Sequence, residues 1–160
     1  MPGPTLRLAN PADATPIALM SRELIEAGLG AWSWPPERVA RAIAARDTVV
    51  LVAAVAAHVA GFAIMNFGDA RAHLSLLAVR PAHQRCGIGT RMMAWLEESA
   101  LVAGIATVNL ELRANNSVAC NFYRALGFRD AAYVPGYYQG VETALRMSRD
   151  IRRSISDRIN

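Results

Sequence analysis

The sequence predicts a mixed α/β domain: one sheet with helices on its faces. Three observations lead there. Apolar runs of strand length alternate with stretches of helical period, in the order β-α-α-β-β-β-α-β-α-β-β. A glycine-bearing turn, residues 84–90, joins a strand directly to a helix. At 160 residues the chain has the size of one domain, and no repeat, low-complexity block or linker divides residues 1–160.

Each element has a local cause. Thr5 to Leu8 reads as a short strand. Asn10, Pro11, Ala12 and Asp13 cap a helix that runs to about Ala27 and stops at Gly28 and Gly30. Pro35, Pro36 and Glu37 start a second helix through Ala45, since proline is tolerated in a first turn. Thr48 to Ala54 and His58 to Phe67 are β-rich runs with a short connection, which predicts a hairpin. His73 to Val79 is the next strand, and a helical pattern through Ile88, Met92 and Leu96 runs on to Ala103. Thr107 to Arg113 reads as a strand. Asn115, Asn116 and Ser117 then turn and cap a helix to Leu126, which Gly127 ends. Strands Phe128 to Tyr133 and Glu142 to Met147 close the pattern. The tail from Arg149 to Asn160, rich in arginine and isoleucine, is expected to be loose helix or a partner-binding segment.

The turn at residues 84–90 carries chemistry as well as geometry. Gly87 and Gly89 let a backbone approach a ligand closely, and the amide N–H groups of the loop and the new helix face one point. Such a point suits an anion, in particular a pyrophosphate, and Arg85 adds a fixed positive charge. Two common phosphate loops are excluded. A Walker loop needs lysine, and the chain has none; a dinucleotide fingerprint needs a third glycine where Met92 stands.

The segment Gln84-Arg85-Cys86-Gly87-Ile88-Gly89 resembles motif A of the GCN5-related N-acetyltransferases. Residues 110–128, with Glu111, Asn116, Phe122, Tyr123 and Gly127, are similar to motif B of the same family, in the right order and at the right interval. Within that family, Leu110 to Asn116, Phe122-Tyr123, Gly136-Tyr137-Tyr138 and Glu142 to Met147 look like the bacterial RimI type, the ribosomal-protein-alanine N-acetyltransferases. Two departures stand out. Ala31 replaces the proline of a Pro-Trp-Ser segment, and the hairpin after Tyr138 is short, with only Gln139, Gly140 and Val141 before Glu142.

The resemblance implies the acetyltransferase fold, a mostly antiparallel central sheet with helices on both faces, in a core of about residues 5–147. It implies acetyl-coenzyme A (acetyl-CoA) as donor, bound by Leu77, Ala78 and Val79 of the strand, by Gln84, Arg85, Cys86, Gly87, Ile88, Gly89 and Thr90 of the loop, and by Asn116 and Phe122. It places a general base at Glu111 and the proton donor to the thiolate at Tyr123. As a charged residue in an apolar strand, Glu111 is expected to have its pKa raised by partial burial. Trp32, Tyr137 and Tyr138 are candidate walls of the acceptor site. Trp32 and Trp34, like the two tyrosines, could equally be packing.

The acceptor is expected to be a primary amine, foremost a protein α-amino group such as that of a ribosomal protein. An α-amine has a pKa near 8 and is deprotonated more cheaply than a lysine near 10.4. A small amine (amino acid, polyamine or aminoglycoside) and a non-catalytic acyl-CoA sensor are the alternatives. An open groove beside the tyrosines would favour a peptide, a closed acidic pocket a polyamine.

Composition narrows the rest. The net charge is +4, with arginine as every basic residue apart from histidine, but the arginines form no basic-aromatic run, which argues against nucleic acid. No apolar run reaches membrane-spanning length, and the N-terminus lacks the features of a signal peptide. Two cysteines with no secretory signal point to reduced thiols and a cytoplasmic location. Cysteine and histidine spacing matches no metal site, and the three histidines read as surface or sheet residues. Monomer and homodimer both remain open.

Overall fold

The computed structural model describes residues 3–152. The elements are β1 (Thr5–Leu8), α1 (Ala14–Met20), α2 (Pro36–Ala44), β2 (Thr48–Val55), β3 (His58–Phe67), β4 (Arg71–Val79), α3 (Ile88–Val102), β5 (Thr107–Arg113), α4 (Ser117–Ala125), β6 (Arg129–Tyr138) and β7 (Glu142–Asp150). This is the expected order.

The strands form one seven-stranded sheet in the order β1-β2-β3-β4-β5-β7-β6. All neighbours are antiparallel except β4 and β5. That pair is joined through α3, and a parallel pair needs such a crossover. The sheet separates two apolar layers. One packs Met92, Met93 and Leu96 of α3 against Leu51, Met65, Leu110 and Leu145. The other packs Ile17 and Met20 of α1 and the following turn, with Val39 of α2, against Val52, Phe62 and Ile64. Strand β3 is therefore buried on both faces, which is why it reads as an apolar run rather than an alternation. Each such large side chain contributes about 1.5–3 kcal/mol by leaving water.

Two irregularities make the site. First, Met65 pairs with Leu74 while Ile64 pairs with Leu76, so Ser75 bulges without a partner on β3. The bulge exchanges the faces of β4: Ala72 and Leu74 join the layer under α3, whereas Leu76 and Ala78 join the layer under α1 and α2. Second, β4 and β5 pair only over Arg71–Leu74 with Thr107–Leu110. Beyond that point the strands part, and the edge of β4 from Ser75 to Val79 has no strand partner on its β5 side among the described residues.

Some boundaries differ from expectation. The first helix does not stay α-helical to Ala27. After Met20 it widens into a π turn, Ser21–Ile25, closed where the Glu26 amide donates to Ser21 O at 2.8 Å. Strand β6 extends to Tyr138 instead of ending at Tyr133, because β7 continues to pair with it across an irregularity between Val134 and Tyr138. Strand β7 runs to Asp150, so Arg149 is a strand residue, bonded to Glu97 at 3.1 Å, and not part of a loose helix. The rest of the expected tail, residues 153–160, lies outside the described residues.

Candidate active site

The parting of β4 and β5 opens a cleft of about 1080 Å³ that runs from the residue 84–90 loop, past Glu111, to Trp34 and Tyr137. Backbone groups of a strand alternate in direction, so half of those along Ser75–Val79 face this cleft. Leu77, Ala78 and Val79 all line it.

One end is lined by the loop at residues 84–90 and the start of α3. Arg85 and Gly87 both hold left-handed backbone, with φ of 62° and 79°. For Gly87 this costs little, whereas Arg85 is held there by the loop. Gly87 is the N-cap of α3 and supplies no capping side chain, which leaves the first-turn amides of Ile88, Gly89 and Thr90 available to a ligand. Those residues and Arg85 line the cleft. Gln84 lines it too, but its side-chain amide donates to Val79 O at 2.9 Å and so braces the loop against β4. Cys86 is exposed, outside the cleft lining, with Sγ 3.6 Å from Gln84 O. At Gly89 packing also favours glycine: a Cβ there would lie 3.1 Å from Phe122 Cζ. Asn116 accepts from the Ala119 amide at 3.1 Å, capping α4, and also lines the cleft.

The middle of the cleft is polar. Glu111 is only 10 % exposed; one carboxylate oxygen accepts from His73 Nε2, and the other from Arg146 Nε at 2.9 Å. The bond from His73, reinforced by Arg146, outweighs burial and holds the Glu111 carboxyl below its usual range. The expected upward shift is therefore corrected: the carboxylate is buried together with its donors, and bonding to the charged form wins. His73 Nδ1 lies 3.4 Å from Ser75 Oγ, and both residues line the cleft. Tyr123 is buried, edge-on to Phe122 and Phe128 with ring centroids at 5.0 and 5.6 Å. Burial, and secondarily Tyr138, pushes its phenol well above the usual range, so it stays protonated. Burial raises Tyr138 as well.

The far end is apolar, lined by Leu24, Ile25, Leu29, Trp34, Tyr137 and Tyr138. Its one added carboxylate, Glu26, accepts from Ser21 Oγ at 2.9 Å and from the Ser33 amide at 2.5 Å, and so ties the π turn to the loop before α2. A sequence profile of acetyltransferases matches residues 18–128, a span that holds the anion loop, Glu111 and Tyr123. The chain belongs to the acetyltransferase (GNAT) family.

Individual GNAT relatives agree. The chain is 37 % identical over 92 residues to the [ribosomal protein bS18]-alanine N-acetyltransferase of Escherichia coli strain K12, covering 56 % of this chain and 62 % of the relative. The chain thus spans under two thirds of the length of that curated relative. The crystal structure of the ribosomal-protein-S18-alanine N-acetyltransferase from Escherichia coli superposes with a TM-score of 0.78 at 26 % identity, over 92 % of this chain and 94 % of that one. Ard1 from Thermoplasma volcanium superposes with a TM-score of 0.81 at 24 % identity, over 93 % and 98 %, a likeness of fold.

Against this GNAT frame, the cleft gathers every sequence-derived candidate except two. Cys86 is one. Trp32 is the other: it packs on the layer with α1 and α2, and the Arg22 guanidinium lies 5.1 Å over its ring. The cleft takes Trp34 instead, whose ring carries Arg38 at 3.8 Å. Sequence reasoning missed His73, Ser75 and Arg146. The β4–β5 register pairs His73 with Asn109, two residues from Glu111 on the same face, and a register between distant strands leaves no mark in sequence.

Proposed function

We propose that this chain is an acetyl-CoA-dependent N-acetyltransferase whose acceptor is a protein or peptide α-amino group, acting in the cytoplasm. The observation that carries the reading is the parted β4–β5 edge, which leads from an amide-lined end to a nearly buried carboxylate paired with a half-exposed imidazole. The open α3 amides and Arg85 fit a pyrophosphate, and the free edge of β4 fits an amide-bearing arm. When bound, acetyl-CoA supplies an activated acyl group, whose carbon exchanges its bond to sulfur for a bond to the acceptor nitrogen.

The chain's own groups then divide the proton work. The Glu111–His73 pair receives the proton that the acceptor ammonium must shed. Tyr123, held protonated, gives its proton at the phenol oxygen to the departing sulfur and is restored by the second proton, which the acceptor nitrogen loses as the amide forms; the burial that raises the phenol raises the thiolate's basicity in the same way. Phe122 and Phe128, edge-on to Tyr123, bury its ring.

The acceptor end supports a peptide over a polyamine. The carboxylates lining it are engaged, Glu111 by His73 and Arg146 and Glu26 by two donors, so no free acidic wall awaits a polycation. The relatives that acetylate a ribosomal-protein alanine point the same way. The test is a screen of acetyl transfer over tetrapeptides with free α-amines and over polyamines, amino acids and aminoglycosides. Peptides should lead by at least tenfold in kcat/KM. Preference for a small amine would overturn the acceptor reading.

A further inference from the structure

We propose that His73, and not Glu111, is the atom-level proton acceptor of the reaction, with Nδ1 receiving the proton and Glu111 acting as the residue that positions and charges the imidazole. This deepens the N-acetyltransferase reading and rests on it.

The geometry separates the two groups. Both oxygens of Glu111 are already engaged, one by His73 Nε2 and one by Arg146 Nε at 2.9 Å, and the side chain is 10 % exposed. A carboxylate so placed keeps lone pairs, but it is largely shielded from solvent in the cleft, and two donors stabilise its anion, which makes it a weaker base. His73 is 44 % exposed and lines the cleft. An ionised Glu111 can only accept, so Nε2 must carry hydrogen. A neutral imidazole then has its bare lone pair on Nδ1.

That nitrogen is the one near Ser75, whose Oγ lies 3.4 Å away. Ser75 sits at the bulge where β4 loses its β3 partner and at the start of its edge facing the parted strands. The order is thus hydroxyl, half-exposed imidazole, nearly buried carboxylate. It follows the logic in which a buried acid fixes the tautomer of a histidine and stabilises the imidazolium without itself taking the proton.

In the transfer, the N–H bond of the acceptor ammonium breaks and an Nδ1–H bond forms, directly or through Ser75 Oγ. The charge moves from ammonium to imidazolium, beside the Glu111 anion. Solvent takes the proton back through the exposed face of the ring.

Several other charged or titratable groups surround this pair. They are Arg113 on β5, Glu142 and Arg146 on β7, Tyr137 and Tyr138 on β6, and Glu26 and Arg38 on the opposite wall. A pH profile must therefore be read by comparing variants, not from a single curve.

The experiment uses the full chain and the amine it acetylates fastest. His73→Gln should lower kcat/KM for the acceptor by about 10²-fold or more while leaving calorimetric acetyl-CoA affinity within twofold. The acid limb of the wild-type pH–rate profile should vanish in the variant. Added imidazole should restore at least tenfold of the rate lost by His73→Ala, a response that a merely structural histidine would not give. Glu111→Gln should also slow the reaction, because its amide can donate to Nε2 and turn Nδ1 into an N–H; the double variant should be no slower than His73→Gln alone. A threefold or smaller loss in His73→Gln with the acid limb intact, absence of imidazole rescue, or multiplying losses in the double variant would each overturn the assignment. A nitrogen-15 spectrum of the free protein showing His73 with hydrogen on Nδ1 would overturn it too. Failure of the broader reading looks different: the wild type would bind acetyl-CoA and acetylate no amine.

Discussion

Gly89 offers the sharpest separation between a glycine kept for a ligand and a glycine kept for packing. A methyl added there would lie 3.1 Å from Phe122 Cζ and 3.3 Å from Cε2, well inside ordinary contact. Phe122 must then shift by a few tenths of an ångström, and its ring bears edge-on against Tyr123 at 5.0 Å. Overpacking of this kind costs about 1–3 kcal/mol. Alanine recovers at most about 1 kcal/mol over glycine inside a helix. Gly89→Ala should therefore be destabilised by about 0–3 kcal/mol, a fall in Tm of roughly 0–12 °C for a chain of this size. Because Phe122 leans on Tyr123, kcat should fall several-fold while acetyl-CoA affinity changes little. Gly89→Asp carries the same steric term and adds an anion in the first turn of α3. Two like charges a few ångströms apart near a surface repel by about 1–3 kcal/mol, or about 5–150-fold in Kd. Calorimetric titration with acetyl-CoA and differential scanning calorimetry on both variants measure the two terms separately. If Gly89→Ala lost as much affinity as Gly89→Asp with an unchanged Tm, the reasoning would fail, because the glycine would then serve ligand approach and not Phe122.

Three further outcomes are expected. Tyr123→Phe should lower kcat by about 10²-fold or more, without rescue at high pH, yet leave Tm within a few degrees; full activity would move the proton donor elsewhere, with Tyr138 next in line. Folded Glu111 and Asp13 both have depressed pKa values, Glu111 through His73 and Asp13 through the Arg7 guanidinium at 2.7 Å. A depressed carboxylate contributes stability above its unfolded pKa and loses it as pH falls through the folded one, so urea-derived stability should decline below about pH 4.5; Glu111→Gln and Asp13→Asn should each flatten that decline, and unchanged slopes would count against the pairing. Finally, Gln139 joins the two departures noted in the sequence: it accepts from the Ala31 amide at 3.0 Å and donates to Ala31 O at 2.9 Å. Ala31→Pro removes the first bond, so hydrogen exchange should speed up in the turn at residues 139–141 while the β4 amides stay protected; equal exchange in both proteins would show the clasp to be idle.

Sequence alone determined a good deal. The Gln84–Gly89 spacing, the strand before it and the helix after it were legible because glycine, proline and period carry local instructions. Motif B was legible for the same reason, down to Asn116 as the cap of α4 and Gly127 as its stop, with φ of 97°. Glu111 and Tyr123 stood out as a charge in an apolar strand and a tyrosine on the following helix. What only the tertiary structure decided is pairing across distance. No local signal says that β4 and β5 lie parallel for four residues and then part, or that Ser75 bulges and exchanges the faces of its strand. The partners of Glu111 depend on that register, so its pKa moved opposite to the expected direction. The choice of Trp34 over Trp32 for the cleft rests on how the loop before α2 packs. Strand registers and loop packing are set by the sum of contacts between segments far apart in the chain, and a side chain's chemistry follows from them.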